Sequence, residues 1–315
     1  MIVKRNFSPR KVWGYIRVPM LAVLLWSVAV WVAYHVFDLR VLAFNFTPVG
    51  VLGSALAIFV AFRNNSAYGR WWEARTIWGG IVSSTRTFAR LIITFSDSHA
   101  HQEHFQRERS QSFKRTLTYL QLAWANALRL TLRDQEDWEE LRAFTTPEDF
   151  DRIQSAVNKP TSIQLLIGER IYAAMANGTL GGFDSFQLEG QLLALSNYQA
   201  SAERIKTTPL PRQYDFFTRA FIYLFVLLLP FGLLSFFSSP VLLPYSWLSI
   251  PLSLLLAGVF IVMERTGAAN EEPFENRVTD VSLTALCNTL ERDLKELLGE
   301  RPLPEKLLPV DGYLF

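Results

Sequence analysis

The stretch VLAFNFTPVGVLGSALAIFVAF, residues 41–62, lies between Arg40 and Arg63 and contains no Asp, Glu, Lys or Arg. A helix rises about 1.5 Å per residue, so about 20 residues cross the roughly 30 Å hydrocarbon layer of a bilayer. Residues 41–62 are long enough for one crossing. Residues 18–37, between Arg17 and Asp38, form a second charge-free run. Residues 220–263, between Arg219 and Glu264, form a third, long enough for two crossings. Ser238-Ser239-Pro240 and Pro244-Tyr245-Ser246 divide that last run and predict a hairpin. Spanning backbone must satisfy its own hydrogen bonds, so all four segments are expected to be helices.

A soluble protein of 315 residues has too little polar chain to cover four such stretches. The first run is too long for the apolar core of a secretory signal, and no small-residue cleavage site follows it. Lys4, Arg5, Arg10, Lys11 and Arg17 precede the first crossing, whereas the next connection carries only Asp38 and Arg40. The positive-inside rule therefore places the N-terminus in the cytoplasm, and four crossings return the C-terminus there. Trp13, Tyr15, Tyr34, Tyr245 and Trp247 stand where an interfacial aromatic belt is expected. The implied division is a cytosolic segment 1–17, two membrane helices in 18–63, a helical cytosolic domain 64–215, two more membrane helices in 216–263 and a cytosolic segment 264–315.

The polar regions also read as helical. Trp71, Trp78, Ile81, Phe88 and Ile92 form an apolar face that continues the second membrane helix. A long helix is expected from about Phe105 to Arg133. Thr146-Pro147-Glu148-Asp149 is a helix start and Asn177-Gly178 a stop. Another helix covers roughly Phe186 to Lys206. Leu283, Leu286, Leu290, Leu294 and Leu297 mark a last one ending at Gly299.

Little in the sequence speaks for catalysis. No phosphate loop, nucleophile elbow or zinc spacing occurs, and no catalytic residue or cofactor is expected. The formal net charge of +2 gives no reason to expect nucleic acid as a partner. The lone thiol, Cys287, reads as a small core residue. His99, His101 and His104 beside Asp97 and Glu103 read as a solvated turn rather than a metal site. Glu271, Glu272, Asn276 and Asp280 follow the fourth crossing. Carboxylates there either collect cations at a pore mouth or hold a hard metal ion, or else form a solvated loop; the residues alone do not decide between these.

No membrane segment carries an internal charge, which disfavours coupled transport, since transporters use such groups as working parts. A passive apolar pore remains compatible with the sequence. In the second crossing, Gly50, Ser54, Ala57 and Ala61 make a small-residue face. Beside it runs the row Ser54, Ile58, Phe62. Taken by itself, that row reads as ordinary packing within one subunit.

Ala57-Ile58-Phe59-Val60-Ala61-Phe62-Arg63-Asn64-Asn65, with Tyr68-Gly69-Arg70-Trp71-Trp72-Glu73-Ala74-Arg75 and Trp78-Gly79, resembles the bestrophin family in its bacterial branch. Met1-Ile2-Val3, Glu203-Arg204-Ile205, Thr208-Pro209-Leu210-Pro211, Tyr223-Leu224, Pro230-Phe231 and Glu271-Glu272-Pro273-Phe274 agree in order, so the resemblance covers almost the whole chain. It implies an all-α homopentamer, four membrane helices per subunit with a helical cytosolic body, in a bacterial inner membrane. Its partners would be itself, the lipid bilayer and small monovalent ions, with anions such as chloride the family default. A monovalent-cation channel of the same architecture, a non-conducting scaffold and a membrane enzyme using the acidic loop are the rival readings.

The resemblance also assigns positions. The eight-residue step from Phe62 to Arg70 places the pore neck at Ser54, Ile58 and Phe62, and spacing from Asn177-Gly178 places a cytosolic aperture at Phe183. Family members usually carry a larger apolar residue where this chain has Ser54. The calcium-binding acidic run of animal members is diluted here by Pro273, Phe274 and Asn276, so calcium gating and a bound metal are not expected.

Overall fold

A computed structural model describes residues 1–5, 9–101, 103 and 105–315. The α-helices in chain order are α1 (Pro9–His35), α2 (Thr47–Phe95), α3 (Arg107–Leu132), α4 (Pro147–Ser155), α5 (Lys159–Ala176), α6 (Gly182–Thr207), α7 (Arg212–Phe236), α8 (Ser249–Asn270) and α9 (Leu283–Leu297). Among the described residues there is no strand, only isolated bridges joining Tyr313 to Ile2 and to Val310. Among the described residues, four helical stretches are long and apolar enough to cross a membrane: Trp13–His35, Arg40–Phe95, Arg212–Phe236 and Leu243–Asn270.

The chain divides into two compact units. The apolar unit comprises residues 4–70 and 209–271; the other comprises residues 1–3, 71–208 and 272–315. Helix α2 contributes to both as one uninterrupted helix of 49 residues. The apolar face from Trp71 to Ile92 is thus its continuation, as the sequence suggests.

In the apolar unit, α8 packs on α1 and α7. Val49, Leu56 and Val60 of α2 are buried in a core with Phe225, Leu229 and Ala257. Gly53 is what lets α2 come this close to α7: a Cβ there would lie 2.9 Å from the Phe225 ring. Pro19 and Pro230 sit inside α1 and α7, a use of proline that membrane helices tolerate. The hairpin between α7 and α8 contains a short 3-10 turn, Leu243–Leu248, whose Ser246 Oγ lies 2.8 Å from His35 Nε2. Trp13, Tyr15, Tyr245 and Trp247 are exposed, as a belt requires. Tyr34 is not: it is 3% exposed, packed with Val30 and Leu234, and Arg40 lies 4.7 Å above its ring. Its position in the sequence matched the belt, but its phenol is taken up by the core.

The other unit is built round α3, buried over nearly all of its second half. Trp78, Ile81, Phe88 and Ile92 join Leu117, Leu128, Ile163 and Leu290 in its core. Several of the polar groups buried there are paired with one another. Gln121 Nε2 donates to Thr85 Oγ1 at 2.9 Å, and Trp124 Nε1 to Gln199 Oε1 at 3.0 Å. Thr146 Oγ1 accepts from Asp149 N and caps α4, as read from the sequence. Gly178 (φ +78°) follows the end of α5 and Gly299 (φ +75°) that of α9, both in the left-handed conformation that favours glycine. Cys287 is buried, its Sγ donating to Ala125 O, and burial pushes its thiol up to about 12. The two chain ends are strapped together here, Val3 N to Gly312 O and Leu314 N to Met1 O, both 2.9 Å.

Candidate ion-conduction site

On α2, burial alternates with the helical period. Val49, Leu56, Val60, Arg63 and Ala67 are buried, the first three in the apolar core. Ser54, Ile58 and Phe62 face away from it; Ile58 is 59% and Phe62 69% exposed. Successive members of this row are about 6 Å apart along the axis and turn only about 40° around it. They therefore form one near-straight line, apolar at Ile58 and Phe62. Ser54 Oγ donates back to Gly50 O at 3.0 Å, so its proton is engaged and its oxygen lone pairs face outward. Ala57 and Ala61 are exposed as well. The reading of the row as packing within one chain does not hold: the chain leaves it uncovered.

The helix changes character one residue past Phe62. The side chain of Arg63 is only 7% exposed, and its guanidinium sits among three carboxylates. Its Nη2 donates to Asp215 Oδ1 and lies 3.6 Å from Glu271 Oε2. Its Nη1 donates to Glu264 O at 3.3 Å and lies 3.6 Å from Glu264 Oε1. Arg219 shares two of these carboxylates, donating from Nη2 to Asp215 Oδ2 and placing Nε 3.2 Å from Glu264 Oε1. The neighbouring Asn64 donates from Nδ2 to Met263 O at 3.1 Å. Gly267 makes room for it, since a Cβ there would fall 2.1 Å from Asn64 Oδ1.

Sequence reasoning missed this cluster, whose members lie 152 and 201 residues apart in the pairs that Arg63 makes with Asp215 and Glu264. A signal was present. Arg63, Arg219 and Glu264 are the charges that end the charge-free runs.

The acidic stretch after α8 falls into two parts. Glu271 belongs to the apolar unit and is buried beside Arg63, with Arg212 Nη1 3.6 Å from its Oε1. Glu272, Asn276 and Asp280 belong to the α3-centred unit. Glu272 lies 3.8 Å from Arg277 Nη2, and Asn276 adopts a left-handed φ of +59°. Asp280 is buried and accepts from Arg277 N at 3.0 Å and Thr279 Oγ1 at 3.2 Å; burial raises its carboxyl above the ordinary range. Glu275 takes Lys206 at 2.7 Å. Glu271, Glu275 and Asp280 are thus engaged by their own chain. Among the described residues no three His, Cys, Asp or Glu side chains come together as metal ligands. His104 of the histidine cluster lies outside the described residues.

Phe183 is 71% exposed in the first turn of α6, with Phe186 exposed one turn on. Asp184 between them turns inward. It accepts from Gly181 N at 3.0 Å and Ser98 Oγ at 2.9 Å, with His99 Nε2 at 3.7 Å. The start of α6 is therefore held from the inside by a carboxylate while its phenylalanines face out.

Comparison with known proteins adds to this geometry. Residues 7–296 match the family model described as bacterial/fungal bestrophin protein. The chain is 32% identical over 270 residues to the voltage-dependent anion channel-forming protein YneE of Escherichia coli K12, covering 86% of this chain and 82% of that one. It is 31% identical over 279 residues to a voltage-dependent anion channel-forming protein of Mesorhizobium japonicum, covering 89% and 83%. Among solved structures, a bacterial bestrophin homologue from Klebsiella pneumoniae superposes with a TM-score of 0.81 at 26% identity, covering 91% of this chain and all of that one.

Proposed function

The chain belongs to the bestrophin family, in its bacterial and fungal branch, and from that premise we propose that it is a passive homopentameric channel for small monovalent anions such as chloride. Membership and the channel-forming relatives point to a channel rather than an enzyme. The observation that carries the reading is the uncovered row Ser54, Ile58, Phe62 on α2. Five copies of α2 round an axis would turn these rows inward and make an apolar neck. Such a neck conducts when wet and blocks when dry, with no charge needed inside it. Ser54 would ease wetting at the outer end, because its outward lone pairs accept from water.

Four crossings in 18–63 and 216–263, with both termini in the cytoplasm of a bacterial inner membrane, complete the proposal. Phe183 would form a second constriction on the cytosolic path. The names of the relatives support anions, and so does the inward engagement of Asp184, Glu271 and Asp280, which removes carboxylates that would otherwise favour cations.

The test is current through the purified protein in planar bilayers under a KCl gradient. A reversal potential near the chloride equilibrium value is expected. Reversal near the potassium value would replace the anion reading with a cation one. No current from an intact pentamer would overturn the channel itself.

A further inference from the structure

The geometry points to Arg63 as a positioning residue of the neck: its carboxylate cluster sets the rotational register of α2 and so fixes where Phe62 stands. The inference rests on the proposed neck and goes beyond it by naming what holds the neck in shape.

The argument is geometric. Consecutive residues on a helix differ by about 100° round the axis and about 1.5 Å along it. Phe62 and Arg63 therefore cannot move independently. Any rotation of α2 that withdraws Phe62 from the axis also pulls Arg63 away from Asp215, Glu264 and Glu271. The burial of Leu56 and Val60 opposes such a rotation but, being non-directional, selects one register less sharply than a directional contact does. A guanidinium fork among carboxylates is directional, and a buried one has few alternative arrangements. Buried ion clusters are a weak source of stability; their best-attested use is to fix register.

Two further contacts fix the axial position. Asn64 Nδ2 holds Met263 O, and Gly267 leaves no room for a side chain against Asn64. Arg63 itself donates to Glu264 O, the next carbonyl along α8. The end of α8 is thus gripped at two successive carbonyls by two successive residues of α2. Asp215 of α7 joins the grip and is shared with Arg219 four residues later on the same helix. A shift of α7 or α8 is in this way transmitted to Phe62.

The experiment is a double-mutant cycle on the full-length protein in planar bilayers, with Arg63→Gln, Phe62→Ala and the pair. Arg63→Gln alone is expected to change open probability by about tenfold or more, equivalent to about 1.4 kcal/mol. In the Phe62→Ala background the same change should have little effect, because Arg63 acts through Phe62. Effects that simply multiply, or an unchanged current in Arg63→Gln, would overturn the inference.

If Arg63→Gln fails to assemble, Gly267→Ala enters the cycle in its place, since it disturbs the same grip without removing a charge. A second readout needs no current. The rate at which an aqueous thiol reagent modifies Phe62→Cys should shift when Arg63→Gln is added. A shift in a protein that carries no current would keep the register claim and sink the channel reading; a constant rate in a conducting protein would do the reverse.

Discussion

Ile58→Ala separates a pore-lining row from a packing row, because α2 carries a built-in control. Leu56 lies two residues away and is 1% exposed in the core; Ile58 is 59% exposed. Leu56→Ala empties a packed site and should cost about 2–5 kcal/mol. Ile58→Ala removes side-chain atoms that contact little of their own chain, and exposed substitutions usually stay within about 0.5 kcal/mol. The effect on wetting runs the other way. Each methylene contributes about 0.8 kcal/mol to the cost of contact with water. Alanine lacks three of the isoleucine carbons. If only one carbon's worth of that cost is felt at the barrier, occupancy of the wet state rises about fourfold, from 0.8 kcal/mol against an RT of about 0.6. The assay pairs thermal unfolding of the purified protein with single-channel recording. The expected pattern is an Ile58→Ala protein with native melting and a current raised about fourfold or more, beside a Leu56→Ala protein that melts early. An Ile58→Ala protein that melts early and conducts as wild type would refute the pore assignment of the row.

Three other outcomes follow from the same structure. Ser54→Ile puts a larger apolar residue at the outer end of the proposed neck and should lower unitary conductance several-fold; equal single-channel currents would show that the hydroxyl plays no part in wetting. Cys287, buried with its thiol raised to about 12, should resist iodoacetamide at pH 8 in the folded protein and react once the chain is unfolded, so that rapid labelling of native protein, read by mass spectrometry, would contradict its placement. Burial raises the Asp280 carboxyl above its ordinary 3.8, so the folded unit holds a proton that the unfolded chain gives up, and stability should fall as pH rises from 3.8 through the raised value. Asp280→Asn removes that slope, so its melting temperature should gain on wild type as pH rises across the window, and a constant difference would refute the assignment.

Charge and helical period made most of the fold legible. Charge-free runs locate the four apolar helices because burying a charge in hydrocarbon costs too much to be accidental. Thr146, Asn177-Gly178 and Gly299 mark helix ends because the backbone groups left over there need specific partners or a left-handed residue. Less was visible where the signal is only positional. The start of α6 falls at Gly182 rather than Phe186, because Asp184 caps Gly181 from within the helix. Tyr34 matches an interfacial tyrosine by sequence position alone, yet the space beside Val30 and Leu234 receives its ring.

The candidate site divides along the same line. The row Ser54, Ile58, Phe62 was readable as a row, since a four-residue step keeps side chains on one helical face. Its exposure was not, because the same step serves a packed seam and an open one, and only the neighbouring helices decide which. Arg63 shows the opposite limit. By composition it ends an apolar run and would be expected in the headgroup region, its charge in water. The chain instead draws it inward, because Asp215, Glu264 and Glu271 arrive from distant sequence positions to meet it. One carboxylate would leave the guanidinium poorly compensated; three, with Arg219 sharing two of them, keep every member of the cluster opposed to unlike charge. Charges that end separate apolar runs on one side of a membrane lie at one depth. Their pairing is therefore the first long-range contact to look for in a chain of this kind, and here it falls one residue from the proposed neck.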